Sequence, residues 1–210
     1  MKPVIQLIAA ATATFAFATS AIAAEAPDVL VKRISADVIE TVKADKDIQG
    51  GNRAKIMELV NSKILPHVDA DKMTAQAAGR FWRQATPEQQ KQLSQEFKTL
   101  LVYTYSGALT QIKNETVEFK PMRAEAGATD VEVRSQVNVA RGEPITLNYR
   151  LANGPQGWKI YDINVLGAWL VETYKSTFTS EINKGGIDGL IKKLAERNQQ
   201  LAAKPLKAPK

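Results

Sequence analysis

The side chains that most often carry chemistry in a small protein are scarce here: the chain has one histidine, His67, and no cysteine. Without a thiol there is no cysteine nucleophile or thiolate ligand, and one imidazole cannot build a zinc site at ligand spacing. Neither a metal centre nor a set of catalytic residues is therefore predicted. His67 sits in Leu65-Pro66-His67-Val68-Asp69, a helix-ending turn in which a hydrogen-bonded or exposed imidazole is expected. Serine-based acyl transfer would call for a Gly-x-Ser-x-Gly elbow or a Ser-x-x-Lys pair, and neither occurs. Asp162 and Asn164 are the remaining polar candidates. They alternate on a strand face otherwise taken by Trp158 and Ile160, which makes them either inward groups of a pocket or the solvated end of the strand. Gly185-Gly186-Ile187-Asp188-Gly189-Leu190 lacks the Lys-Ser/Thr and the strand-to-helix setting of a phosphate loop, and reads as one helix ending and another beginning.

The elements that would position these residues follow from hydrophobic period. From Asp28 to about Ala44, Leu30, Val31, Ile34, Val38 and Val42 recur at helical spacing. Asp45-Lys46-Asp47 and Gly50-Gly51 break that helix, and Asn52 is placed to cap a second one carrying Ile56, Leu59, Val60 and Ile64 until Pro66. Thr86-Pro87 with Gln89 predicts a capping box opening a longer helix through Leu93, Phe97, Leu100, Leu101 and Tyr105.

From Thr116 the period changes to two, weakly at Val117 and Phe119 and clearly at Val131, Val133, Val137 and Val139. Ile145, Leu147, Tyr149 and Leu151 continue it, then Trp158 to Val165, with Arg141-Gly142-Glu143 and Asn153-Gly154-Pro155 as turns. Ile160-Tyr161 interrupts the alternation, so that strand is expected to lie centrally or to carry a bulge. Helical spacing returns at Leu170, Val171, Tyr174, Phe178 and Ile182 and again from Ile187 to Leu194. Phe81 and Trp82, being adjacent, are not expected to face one core, nor are Tyr103 and Tyr105. The whole is α+β: helices, an antiparallel sheet of about four strands, then helices over one face of it. Such layers close on a solid core or leave a cavity between them, and periodicity fits both.

The first residues combine Lys2, an apolar stretch from Val4 to Ala18 and the small residues Ala21-Ile22-Ala23. That order predicts a secretory signal over residues 1–23, cleaved after Ala23. With no cysteine at the cleavage point, no lipid anchor is expected, and the mature chain is expected to be soluble and periplasmic. Residues 24–203 suffice for one domain burying roughly 70% of the surface of its unfolded chain. Residues 204–210, with Lys204, Lys207 and Lys210 between prolines, read as a basic, solvated tail. The formal charge of the chain is +6, Lys2 included. Its spread suits an anionic lipid surface or an acidic partner, but no basic stripe interleaved with aromatics suggests nucleic acid.

Ile64-Leu65-Pro66-His67-Val68-Asp69, Gly79-Arg80-Phe81-Trp82-Arg83-Gln84-Ala85-Thr86-Pro87-Glu88-Gln89-Gln90, Tyr161-Asp162 and Lys184-Gly185-Gly186-Ile187-Asp188-Gly189-Leu190 together resemble, in order and spacing, the MlaC or toluene-tolerance family. His67 departs from the aromatic residue often found after Leu-Pro there. The resemblance implies a curved sheet wrapped by helices around an apolar cavity, a cone like that of nuclear transport factors. It implies a phospholipid carrier that exchanges cargo with an outer-membrane assembly containing MlaA and an inner-membrane ABC transporter reached through MlaD, maintaining outer-membrane lipid asymmetry. No cofactor is implied beyond bound phospholipid as cargo, and a monomer is expected. Two acyl chains hold roughly 30 methylenes, whose exposure to water costs on the order of 25 kcal/mol, so the cavity must be deep and apolar. The expected lining is Val133, Val137, Leu147, Tyr149 and Ile160 from the sheet facing Phe97, Leu100, Leu101, Leu170 and Tyr174 from the helices, with the phosphate head near Arg80 or Arg83. The competing readings are a periplasmic adaptor or chaperone with exposed aromatics, and a small-substrate enzyme on the same fold that uses Asp162.

Overall fold

In the computed structural model, residues 25–122, 124–125, 127–139 and 143–206 are described. The expected signal segment 1–23, Arg141-Gly142 of one expected turn, and Lys207 and Lys210 of the tail lie outside them.

Helix α1 (Pro27–Ala44) begins with proline at its first position and buries Leu30, Val31, Ile34, Val38 and Val42. Asp45 then turns extended, and its carboxylate accepts from the Asp47 and Ile48 amides, capping the single turn α2 (Lys46–Gln49). The Gln49 amide donates to the Val42 and Lys43 carbonyls that α1 leaves free. Asn52 caps α3 (Arg53–Leu59), after which the backbone widens into a π turn over Val60–Ile64 and tightens to a 3-10 turn over Leu65–His67. α4 (Ala70–Ala78), capped by Asp69, is additional to the helices expected. Its buried face is Met73, Thr74, Ala77 and Ala78, too small a hydrophobic stripe to stand out by period. α5 (Pro87–Tyr105) opens on the predicted Thr86/Gln89 capping box.

The sheet is an antiparallel meander in the order β1 (Thr116–Phe119), β2 (Asp130–Asn138), β3 (Ile145–Gly154), β4 (Gly157–Val165) and β5 (Ala168–Trp169). The two-residue β5 is a fifth strand beyond the four expected. The expected bulge is present: Arg150 pairs with Asp162 and Leu151 with Ile160, leaving Tyr161 as the extra residue. α6 (Leu170–Ala202) follows, broken at Gly186, whose φ of 70° and ψ of −173° suit glycine alone.

Two apolar clusters result. The first joins α1, α2 and α3 to one face of the sheet, and the second joins α4, α5 and α6 to each other. At the end of the chain, Arg53 of α3 donates to the Leu201 and Lys204 carbonyls at the terminus of α6, and Leu206 packs against the first cluster. The first residues of the expected tail thus rest on the fold.

Candidate functional site

The cross-strand register collects apolar residues on one face of the sheet. Val131 lies opposite Leu151, Val133 opposite Tyr149, and Val137 opposite Ile145. Tyr149 lies opposite Ile163 and Leu151 opposite Ile160 on the next strand. Val133, Leu151 and Ile160 are almost fully buried under α1 to α3, while Phe119, Val131, Leu147, Trp158 and Ile163 form a half-buried margin. Two polar groups sit in this face. Ser135 donates to the Leu147 carbonyl, and the Tyr149 hydroxyl bonds with Ser135 and with Ser35 of α1. Burial pushes the Tyr149 phenol up to about 12, so it stays neutral and acts only as a hydrogen-bonding group at ordinary pH.

The residues expected to line one cavity are divided between the two clusters. Val133, Tyr149 and Ile160 belong to the first, with Leu147 packed against it. Phe97 and Leu100 belong to the second, with Leu101 and Tyr174 packed against that one. Phe97 stands edge-on to Tyr174 at 5.0 Å and to Phe178 at 4.8 Å, an aromatic knot between α5 and α6. Leu170 is buried where α6 leaves the sheet, and Val137 is half-buried on β2. Phe81 and Trp82 both pack on the second cluster, contrary to expectation, because residues 79–84 form a 3-10 turn that lays neighbouring side chains over the same core edge. Tyr103 and Tyr105 do part company. Arg53 stacks on Tyr103, whereas Tyr105 bonds with Tyr174. Arg80 and Arg83 are exposed on the 3-10 turn after α4, with Arg80 lying over the Phe81 ring at 4.9 Å.

Asp162 and Asn164 are on the opposite face from Trp158 and Ile160. The extra residue Tyr161 inverts the side-chain parity, so a count in twos through Ile160 assigns both polar groups to the wrong side. Asp162 is fully buried and accepts from the Val171 amide at 3.0 Å, the Ile163 amide at 2.9 Å and Arg150 at 3.3 Å. It therefore caps α6 from a neighbouring strand. Burial raises its carboxyl above the usual range, opposed by the two amides and by Arg150. Arg150 is held from its other side by Trp169, 3.8 Å from the ring centre. Asn164 accepts from the Gly167 amide in the β4–β5 turn. His67 is half-buried, and burial together with Arg33 and Lys159 holds its imidazole below the usual value. Among the described residues, no group of three or more His, Cys, Asp or Glu is arranged to hold a metal ion, and no helix is long and apolar enough to cross a membrane.

The stretches that carry the family resemblance meet in two places. Val68 bridges Ile160 and the Asp69 amide donates to the Ile160 carbonyl, so Leu-Pro-His-Val-Asp docks at the β4 bulge. Gln89 of the capping box donates to Asp188 at 2.8 Å just beyond the α6 kink. Both are joints between elements, a role local spacing does not disclose.

Among the described residues, open grooves flank the fold, two of which are well formed. One of about 750 Å³ is lined mainly by the acidic and polar residues of α1 and α2. The other, about 530 Å³, lies between the turn at Leu65–Asp71, one face of α5 and the β3–β4 hairpin. Its α5 residues Lys91, Ser94, Gln95 and Lys98 escaped the reading by sequence, since a polar stripe on a helix looks the same whether it faces solvent or a groove.

The family model described as MlaC protein matches residues 32–196. The chain belongs to the MlaC family. Its relatives include the intermembrane phospholipid transport system binding protein MlaC of Haemophilus influenzae, 24% identical over 91% of this chain and 89% of that protein. The toluene tolerance protein ttg2D of Pseudomonas putida is 26% identical over 93% and 94%. A solved phospholipid-binding protein from Ralstonia solanacearum, in complex with a phospholipid, is 52% identical and superposes with a TM-score of 0.79, covering 83% of this chain and 98% of that one. The α+β meander described above is thus the fold of this MlaC family member and of its lipid-bound relative.

Proposed function

We propose that this protein is a periplasmic phospholipid carrier and not an enzyme. It would take lipid between an outer-membrane assembly containing MlaA and an inner-membrane ABC transporter reached through MlaD, and so sustain outer-membrane lipid asymmetry. The observation that carries the reading is the Ralstonia solanacearum protein, which shares half its residues and its fold with this chain and holds a phospholipid. The sheet supports it: an apolar face four strands wide, covered by α1 to α3 with breaks at Gly50-Gly51 and at the π turn, can accept acyl chains if those helices lift. The acyl chains would replace α1–α3 contacts with Val133, Tyr149, Leu151 and Ile160, exchanging one apolar contact for another so that loading is nearly isoenergetic over the chains. The group that looked most like an acid or base, Asp162, is occupied in capping α6, which weighs against chemistry there.

Native mass spectrometry of protein purified from the periplasm without detergent tests the proposal. A discrete added mass that resolves into phospholipid after extraction is expected. A clean lipid-free mass that persists after mixing with phospholipid vesicles would refute the carrier reading and favour an adaptor.

A further inference from the structure

The 530 Å³ groove has features that a solvated helix face does not need. Lys91, Ser94, Gln95 and Lys98 fall at i, i+3, i+4 and i+7, so they form one line along about 10 Å of α5. Ser94 is only 5% exposed, and its hydroxyl has no hydrogen-bond partner among the described residues. A serine within a helix ordinarily returns its hydroxyl to a carbonyl one turn back, as Thr74 and Thr99 do in this protein. An orphaned buried hydroxyl between two lysines is a donor in want of an acceptor. Neither lysine forms a salt bridge among the described residues. Lys159 reaches the groove from the hairpin, its ammonium donating to the Pro66 carbonyl.

The turn that lines the groove beside α5 contributes the apolar side chains Leu65, Pro66 and Val68 ahead of Asp69 and Asp71. Val68 packs on the second cluster and bridges Ile160 of the first, so the groove opens over the seam between the two. A ligand seated here would have a charged end among lysines and an apolar end pointed at the junction of both cores.

We infer that this groove binds the phosphodiester of a phospholipid headgroup, with Lys91 and Lys98 as its cations and Ser94 as a buried donor. The inference rests on the carrier reading and assigns it a headgroup site, distinct from Arg80 and Arg83, which line neither groove. One further residue favours a lipid head over free phosphate. Asp71 stands exposed at the rim, where it repels a phosphate dianion and pairs with the ammonium of an ethanolamine head. Asp69 at the same rim has one carboxylate oxygen engaged by the Lys72 amide.

The test uses the mature protein loaded with pyrene-acyl phosphatidylethanolamine and mixed with vesicles of unlabelled phosphatidylethanolamine and phosphatidylglycerol, the rate of lipid loss being followed by fluorescence. Lys91→Gln/Lys98→Gln is expected to lose lipid about tenfold faster at low ionic strength, the difference shrinking as salt screens the parent's attraction. Lys192→Gln/Lys193→Gln, which removes the same charge from exposed positions on α6, is expected to match the parent. Ser94→Ala separates binding from folding: it should melt at or above the parent temperature, since it deletes an unsatisfied group, yet release lipid about threefold faster. Equal release by the parent and the Lys91/Lys98 variant would overturn the headgroup site while leaving the carrier reading intact. A parent that cannot be loaded at all would instead overturn the carrier reading, and the site with it. Inorganic phosphate titrated into delipidated protein gives the last arm: a broadened ³¹P line that needs Lys91 and Lys98, with lipid release unaffected by them, would make this a free-phosphate site and overturn the lipid assignment.

Discussion

Replacing Asp162 separates a structural carboxylate from a catalytic one. In Asp162→Ala the Val171 amide loses its acceptor in a buried position and the Ile163 amide in a part-buried one. A fully buried orphaned donor costs about 1–3 kcal/mol and the part-buried one somewhat less, giving about 2–5 kcal/mol together. Arg150 adds little, because its side chain is 39% exposed and stays stacked on Trp169, so water replaces its lost partner. At about 2–4 °C per kcal/mol for a chain of this size, the melting temperature should drop by roughly 4–20 °C. Asp162→Asn keeps one acceptor oxygen and should fall between parent and alanine. The asparagine also carries a pH signature. Burial raises the Asp162 carboxyl, so the folded protein holds that proton more tightly than the unfolded chain. Its share of stability is therefore present at low pH and lost as pH rises from the ordinary value of 3.8 through the raised one. Asp162→Asn should flatten that descent. Thermal melts by circular dichroism across the acid range measure both. An alanine variant within about 1 kcal/mol of the parent would refute the capping argument.

Other outcomes follow from the same geometry. Leu147→Glu places a carboxylate on the apolar margin of the sheet and should abolish lipid copurification while the purified protein keeps its far-ultraviolet spectrum. Gly186→Ala forces a side chain into a backbone region that suits glycine alone and should cost about 1–3 kcal/mol in urea denaturation. Tyr149→Phe removes a phenol held at about 12, against an ordinary value of 10.0. The raised value means stability declines as pH climbs from about 10 to 12. The variant should therefore shift the midpoint of alkaline unfolding upward, and an unchanged or lowered midpoint would count against a buried Tyr149.

The local signals were the dependable ones. Thr86 and Gln89 announce their capping box because both partners lie within one turn, and the broken alternation at Ile160-Tyr161 announces the bulge. What the bulge does to Asp162 and Asn164 was not legible, because parity can be counted only after the extra residue has been located. α4 was missed for want of bulk in its alanine-rich stripe. The grouping of the aromatic and aliphatic residues into two clusters depends on contacts between distant segments, and each cluster shows the same helical and strand periods as a single core would. The groove on α5 is hidden for a related reason: Ser94 between Lys91 and Lys98 is ordinary until its burial is known.

The clamp at the end of α6 has a bearing on when this protein becomes itself. Arg53 closes on Lys204 across a separation of 151 residues, and Leu206 lands on a cluster begun by Leu30. Closing so long a span late in folding costs little more entropy than closing half of it, but it cannot happen until the last residues have been made. A nascent chain stopped short of Leu201 can form its early helices and hairpins but lacks the contact that ties the beginning to the end. The last turn of α6 thus acts as a latch that joins the end of the described chain to the cluster its first helix begins.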